Sequence, residues 1–294
     1  MRPSTLRLER FFNKGGTSAG EAGVTRDTAD SPRVVDEAAA AFGAEAANAI
    51  TVDLVVVIPA FNEERSVAAV VASVPEAICG LRTATLVVDD GSADATTEEA
   101  RTAGALVCRV PVNVGQGTAL RLGYRLARGL GAQYIATADA DGQFDPAELP
   151  ALVQPLVDGE ADFVNGSRRL GRTYSTDPVR NLGVVVFGTL VSVLTGVRIT
   201  DPANGLRAMR AEITEVVPLH QPQYQTSELL ITTIAHGFRV KEVPATMHER
   251  RSGGSKKGPN LIYGVRFGRV VVTTWWKQRS TAKRLVPDRK GGLW

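Results

Sequence analysis

Four apolar, β-branched runs, each closed by a polar or glycine-rich loop, constrain the fold of this chain more tightly than any other feature. Asp53–Ile58, Thr85–Asp90, Ala105–Val110 and Tyr134–Ala136 read as strands buried on both faces. Between them come helical patterns: Val67, Val70, Val71 and Val74, then about Asp94–Ala103, then Thr118–Leu130. Such alternation predicts an α/β fold with a mostly parallel, doubly wound sheet and ligand loops at the carboxyl ends of its strands. Asn62, Glu63, Asp89, Asp90, Asp139 and Asp141 all fall at that edge. Carboxylates with scattered structural roles would not collect there.

The most suggestive loop is Asp139-Ala-Asp-Gly-Gln143. Two carboxylates two residues apart, joined by Gln143, can converge on one hard cation, and Mg²⁺ is commonly shared between a few carboxylates and substrate phosphates. An Asp/Gly turn bonded to its own backbone is the competing reading. Cys79 and Cys108 lack metal-ligand spacing and read as small apolar residues.

Beyond Pro146 the pattern continues with a helix to about Leu156, a strand at Asp162–Asn165, and then Gly166-Ser-Arg-Arg169. Arg172 and Arg180 lie in the following loop. Residues 181–197 carry no charge. As a helix they would span about 25 Å, less than a bilayer core of about 30 Å. A buried core helix and a helix lying in a membrane interface both fit. Asp201–Arg207 reads as a turn entering a short strand, Thr226–Gly237 as a helix containing Glu228, and Phe238–Val243 as a strand. His248–Lys257 reads as a flexible basic loop.

The last helix is expected over about Asn260–Lys277, with Arg266, Arg269, Thr273 and Lys277 on one stripe beside Trp275 and Trp276. A membrane-surface anchor needs such a helix, although a solvated charged stripe on a packed helix has the same pattern. Charge supports an anionic partner surface: from His248 onward twelve Lys/Arg face only Glu249 and Asp288, in a chain of net charge +3. Nucleic acid is the weaker partner, because no reader motif accompanies the basic tail. Residues 1–50 are poor in large apolar groups and are expected to form a disordered arm, with Glu37–Ala49 inclined to helix. They show no apolar core of a secretory signal, and no stretch has the length of a spanning helix. The expected division is therefore 1–50 arm, 51–259 catalytic domain, and 260–294 interface helix with basic tail.

Taken in order, Pro59-Ala-Phe-Asn-Glu63, Asp89-Asp-Gly-Ser92, Asn113-Val-Gly-Gln-Gly117, Asp139-Ala-Asp-Gly-Gln143, Gly166-Ser-Arg168 and Asp201-Pro-Ala-Asn-Gly-Leu-Arg207 resemble the family 2 inverting glycosyltransferases of the GT-A fold. The branch most similar loads a sugar onto polyprenyl phosphate, as dolichyl-phosphate mannose synthase does. The resemblance spans roughly residues 52–277 and implies the following roles. Pro59, Ala60 and Glu63 cradle the donor nucleoside, with Asp90 and Gly91 at the base or ribose. Asp139, Asp141 and Gln143 hold Mg²⁺ or Mn²⁺. Arg168 meets phosphate, helped by Arg172 or Arg180, and Ser255 and Lys256 belong to a mobile loop near the donor and acceptor phosphates. The catalytic assignment falls on Asp141, Arg168 and Asp201. Gln116 departs from the family, which often has lysine there, and this weakens a phosphate contact at that position.

The implied reaction joins a UDP- or GDP-sugar to polyprenyl phosphate at the cytoplasmic face of the membrane, with a small integral membrane partner or self-association as further expectations. A phosphate monoester has a second pKa near 6 and is already an anion at neutral pH, so it needs no strong base. This agrees with a chain holding only three histidines, His220, His236 and His248. Transfer to a hydroxyl is the alternative. It would need a base, with Asp201 or Glu228 as candidates. A silent membrane-binding module is the third reading.

Overall fold

One mixed sheet of seven strands organises the protein, with a further two-residue strand pairing antiparallel to one of them. The computed structural model describes residues 31–46, 52–174, 177–221, 224–248 and 260–285. In chain order the elements are α1 (Ser31–Ala46), β1 (Leu54–Ala60), α2 (Val67–Ala72), β2 (Ala77–Ile78), β3 (Leu81–Asp90), α3 (Thr96–Thr102), β4 (Leu106–Val110), α4 (Gln116–Gly129) and β5 (Tyr134–Thr137). There follow α5 (Leu149–Val157), β6 (Phe163–Thr173), α6 (Pro178–Thr195), β7 (Arg207–Arg210), α7 (Ile213–Val216), α8 (Gln225–Ala235), β8 (Val240–Met247) and α9 (Asn260–Leu285). The sheet order is β4-β3-β1-β5-β7-β6-β8, with β2 beside the start of β3.

The four expected strands form β1, β3, β4 and β5, paired in parallel. Every residue of the central β1 is buried, as its unbroken apolar run requires. β7 is the departure from a parallel sheet. It runs antiparallel between β5 and β6, while β8 pairs in parallel with β6 on the far side. Helices cover both faces, and two apolar clusters fill the space between helices and sheet.

Two expectations change. The arm read as disordered contains α1, whose Ala38 and Phe42 are buried in the core beside Cys108. Its composition is weakly apolar, but two well-placed contacts suffice when the rest of the domain supplies their partners. The last helix is also more than an appendage. Phe267, Val270, Val271 and Thr274 of α9 are buried, and the Phe267 ring meets Phe187 of α6 at 4.6 Å and Tyr224 at 5.8 Å. Its inward face is thus part of the domain core.

The outward side of the same pair is apolar. Val179, Leu182, Val186 and Val193 project from α6 at spacings of three, four and seven, and Val193 is 76% exposed. Val265, Val272 and Trp276 project from α9, with Trp276 68% exposed. Arg266, Arg269 and Lys277 share that exposed side, so basic and apolar residues are interleaved there rather than segregated into stripes. No helix among the described residues is long and apolar enough to cross a membrane.

Candidate active site

The carboxyl ends of β1, β3 and β5 bring the expected donor loops together. Asn62, just past β1, adopts φ 53°, a left-handed conformation that asparagine tolerates. Its backbone N–H donates to Ser92 Oγ at 2.9 Å, and its Oδ1 accepts from Ala93 N–H at 2.8 Å. Glu63 N–H donates to Thr96 Oγ1 at 2.8 Å, while Ser66 Oγ donates to the Glu63 carboxylate at 3.1 Å. The β1 and β3 loops are therefore laced into one rim. Gly91 has φ +76°, and a Cβ there would lie 2.6 Å from the Val112 carbonyl carbon, so the close passage of the two loops needs glycine.

Asp89 and Asp90 turn out to be builders of this rim. Asp89 is fully buried and accepts from Ser92 N–H at 2.9 Å and from the Thr97 hydroxyl. Asp90 is 3% exposed. Its two oxygens accept from Val114 N–H at 2.7 Å and Gly115 N–H at 2.9 Å. Its carboxylate holds the loop before α4 in place, each oxygen accepting one of its N–H groups.

Asp139 and Asp141 follow β5 at the same edge. Asp139 Oδ1 accepts from Gln116 Nε2 at 3.3 Å, so the residue that departs from the family reaches the metal motif itself. Asp141 is largely buried and accepts from Gln143 N–H at 3.0 Å, the bond expected of an Asp/Gly turn. No group of three His, Cys, Asp or Glu poised for a metal occurs among the described residues. The donor set here is two carboxylates and an amide, all hard oxygens. It fits a Mg²⁺ or Mn²⁺ whose remaining positions are filled by phosphate oxygens and water. Pro59, Gln116, Asp139, Gly205 and Arg207 line one cleft beside this loop, with Tyr124 beneath. Burial pushes the Tyr124 hydroxyl up to about 12, so it remains protonated at neutral pH.

The second half of the sheet holds the larger correction. Arg168 and Asp201 form a buried ion pair: Nε to Oδ2 at 2.6 Å, Nη2 to Oδ1 at 2.6 Å, and the Arg168 N–H to Oδ2 at 3.1 Å. Asp201 is completely buried. Three donors from one residue enclose it, and with its carboxylate wholly buried it is not placed to serve as a general base. Arg168 is committed to Asp201 and is not an open phosphate receptor. Glu228, the other candidate base, is 4% exposed and accepts from His220 N–H at 3.0 Å and Gln221 N–H at 2.9 Å. Glu242 was not singled out in the sequence. It gathers Asn165 Nδ2, Thr200 N–H and hydroxyl, and Asp201 N–H. Arg172 is exposed at the end of β6. The backbone of Arg180 is in the first turns of α6, its side chain lying outside the described residues, as do Ser255 and Lys256.

Three comparisons show what this chain is similar to. The model of glycosyl transferase family 2 matches residues 55–217, which carry every loop described above up to Asp201. The chain belongs to glycosyl transferase family 2. This family 2 enzyme is a glycosyltransferase of the GT-A fold. It is 31% identical to a dodecaprenyl-phosphate galacturonate synthase of Rhizobium johnstonii, over 73% of this chain and 64% of that protein. It is 30% identical to an undecaprenyl-phosphate mannosyltransferase of Micrococcus luteus, over 74% of this chain and 92% of that protein. In fold it is similar to glucosyl-3-phosphoglycerate synthase of Mycobacterium tuberculosis, solved with Mn²⁺, UDP and phosphoglyceric acid, with TM-score 0.61 and 24% identity over 87% of this chain and 85% of that one.

Proposed function

We propose that this glycosyltransferase moves a monosaccharide from a UDP- or GDP-sugar to a polyprenyl phosphate at the cytoplasmic surface of the membrane, with inversion at the anomeric carbon. The observation that carries this reading is the commitment of Asp201 and Glu228 to buried partners. A hydroxyl acceptor needs a base, and both acidic candidates are tied into the scaffold. A phosphate monoester brings its own negative charge. The names of the two relatives point to the same acceptor class.

In this reading Pro59, Ala60 and Glu63 line the donor pocket, and Asp139, Asp141 and Gln143 would hold a divalent cation. Such an ion supplies Lewis acidity to the leaving nucleoside diphosphate, worth several kcal/mol. Direct displacement on an α-linked donor leaves a β-linked lipid phosphosugar. Exposed Arg172, with Arg180, Ser255 and Lys256, is the proposed receiver of the acceptor phosphate, in place of the committed Arg168. The α6/α9 face, apolar with arginine interleaved, suits an anionic bilayer surface. It would bring the site to an acceptor that does not leave the membrane.

The test is transfer of labelled UDP- and GDP-sugars to a short polyprenyl phosphate with Mn²⁺ or Mg²⁺. Label entering the organic phase with one donor, only with metal, is the expected result. Donor binding without any lipid product, alongside transfer to a soluble hydroxyl acceptor, would overturn the reading.

A further inference from the structure

The turn from Pro202 to Arg207 is held more firmly than a surface loop requires. Arg207 begins β7 and is 1% exposed. Its guanidinium donates to the carbonyls of Asn204 at 2.7 Å, Thr226 at 2.5 Å and Pro202 at 3.3 Å, and it lies over the Phe163 ring at 5.8 Å. No carboxylate among the described residues forms an ion pair with it; Asp201, Asp139 and Glu242 act on it only through space. A buried arginine of this kind is costly unless its donors are all placed. Here the donors are placed on the turn and on the start of α8.

Further contacts fix the turn from its other sides. Thr137 Oγ1 donates to the Gly205 carbonyl at 2.6 Å. Asn204 Oδ1 accepts from Leu206 N–H at 2.8 Å, and the Leu206 carbonyl accepts from Gly166 N–H at 3.0 Å. The pinned element carries Gly205 against Asp139. A Cβ on Gly205 would stand 2.8 Å from Asp139 Cγ and 3.0 Å from Oδ1. The Asp139 carboxylate thus has the Gly205 backbone as a wall on one side and the Gln116 amide on another.

We propose that the Pro202–Arg207 turn aims the Asp139 carboxylate at the divalent cation, with Gly205 and Arg207 as positioning residues for that site. The proposal rests on Asp139 being a metal ligand. Neither positioning residue is assigned as a ligand of the cation. Gly205 sets how far the carboxylate can swing, and Arg207 keeps Gly205 where it is. Supporting contacts of this kind typically change metal affinity by about 10- to 100-fold.

The experiment is Mn²⁺ binding in the presence of UDP and, separately, GDP, followed by electron paramagnetic resonance on the full chain. Wild type, Asp139→Ala, Gly205→Ala and Arg207→Lys are compared, with thermal unfolding of each. Nucleotide-dependent Mn²⁺ binding in wild type that Asp139→Ala removes upholds the metal reading; its absence, or its persistence in Asp139→Ala, sinks that reading and this proposal with it. Given that binding, Gly205→Ala is expected to weaken Mn²⁺ by about tenfold or more at an unfolding temperature close to wild type. In transfer assays the half-saturating Mn²⁺ should rise while the KM for polyprenyl phosphate stays constant. A folded Gly205→Ala protein with wild-type Mn²⁺ affinity overturns the positioning role and leaves the metal reading intact. Should Gly205→Ala not fold, Arg207→Lys decides: it keeps the charge but cannot reach three carbonyls, so weaker Mn²⁺ binding supports the proposal and unchanged binding overturns it.

Discussion

The two halves of the sheet commit their carboxylates to different ends. In the half built from β4, β3, β1 and β5, Asp89 and Asp90 bond the backbone and hydroxyls of neighbouring loops. The rim they shape presents Asp139 to a cleft, with the largely buried Asp141 two residues further on. In the half built from β7, β6 and β8, Asp201, Glu228 and Glu242 are each enclosed by several donors. One half therefore sets a carboxylate at the cleft, while the other encloses its acids among donors. A nucleophile that must lose a proton would be poorly served by the second half. A nucleophile that arrives as an anion needs only positive charge and access.

The strongest way to break this contrast is at Asp141. Asp141→Ala should lower transfer by about a thousandfold or more, since metal assistance is worth several kcal/mol and about 1.4 kcal/mol is a factor of ten. Its unfolding temperature should change little. The assay is label transfer at saturating metal.

Asp201 tests the opposite half. Asp201→Asn leaves the buried Arg168 guanidinium without its counter-charge, which should cost about 3–5 kcal/mol in urea unfolding. A stable Asp201→Asn protein that had lost transfer would instead identify Asp201 as a base and reverse the comparison.

Gln116→Lys is a milder probe. The ammonium would sit beside Asp139 and compete with the cation. The metal concentration for half-maximal transfer should rise by about tenfold or less, which on the scale of about 1.4 kcal/mol per decade is a small effect. An unchanged metal requirement would show that the Gln116 contact has no bearing on the site.

The smallest effect is expected at Asp162, away from the cleft. Hydrogen bonds from Arg239, helped by Arg210, hold its carboxyl below the usual carboxylate range. A group depressed in the folded state stabilises above its unfolded pKa of about 3.9, and the contribution disappears as pH falls through the folded value. Asp162→Asn should therefore cost about 1 kcal/mol or less at neutral pH. The difference from wild type should shrink steadily below about pH 4. Urea unfolding of both proteins across that range is the check.

How far the sequence led differs between the same halves. β1, β3, β4 and β5 were legible because a strand buried on both faces is an unbroken apolar run. Their loops were legible because polar residues followed each run. β7 was legible only as a short strand entered from the Asp201–Arg207 turn; its antiparallel place between β5 and β6 was not, since Arg207-Ala-Met-Arg210 has an arginine at each end and no apolar run. Its burial depends on carbonyls and on Asp162, which are distant in sequence. Asp201 and Glu228 show the same limit. Residue type marked them as candidate bases, but only the fold reveals Arg168 and the 220–221 backbone around them. The helical inclination of Glu37–Ala49 was legible, but the packing of α1 was missed because Ala38 and Phe42 gain their partners from β4 and α4 rather than from their own segment.

The place of β7 has a consequence for how the chain is made. β5 and β6 do not pair with one another; each pairs with the four-residue β7, which comes later in the sequence than either. During synthesis Thr137 precedes Arg210 by seventy-three residues, an interval of about 4–15 s at about 5–20 residues per second. Throughout it the nascent β4-β3-β1-β5 sheet carries a bare β5 edge, joined after residue 173 by an unpaired β6, and such edges invite pairing with other chains. The last strand to enter the middle is thus the one that closes the window for misassembly. A ribosome stalled between residues 174 and 206 would hold the protein at its most aggregation-prone length.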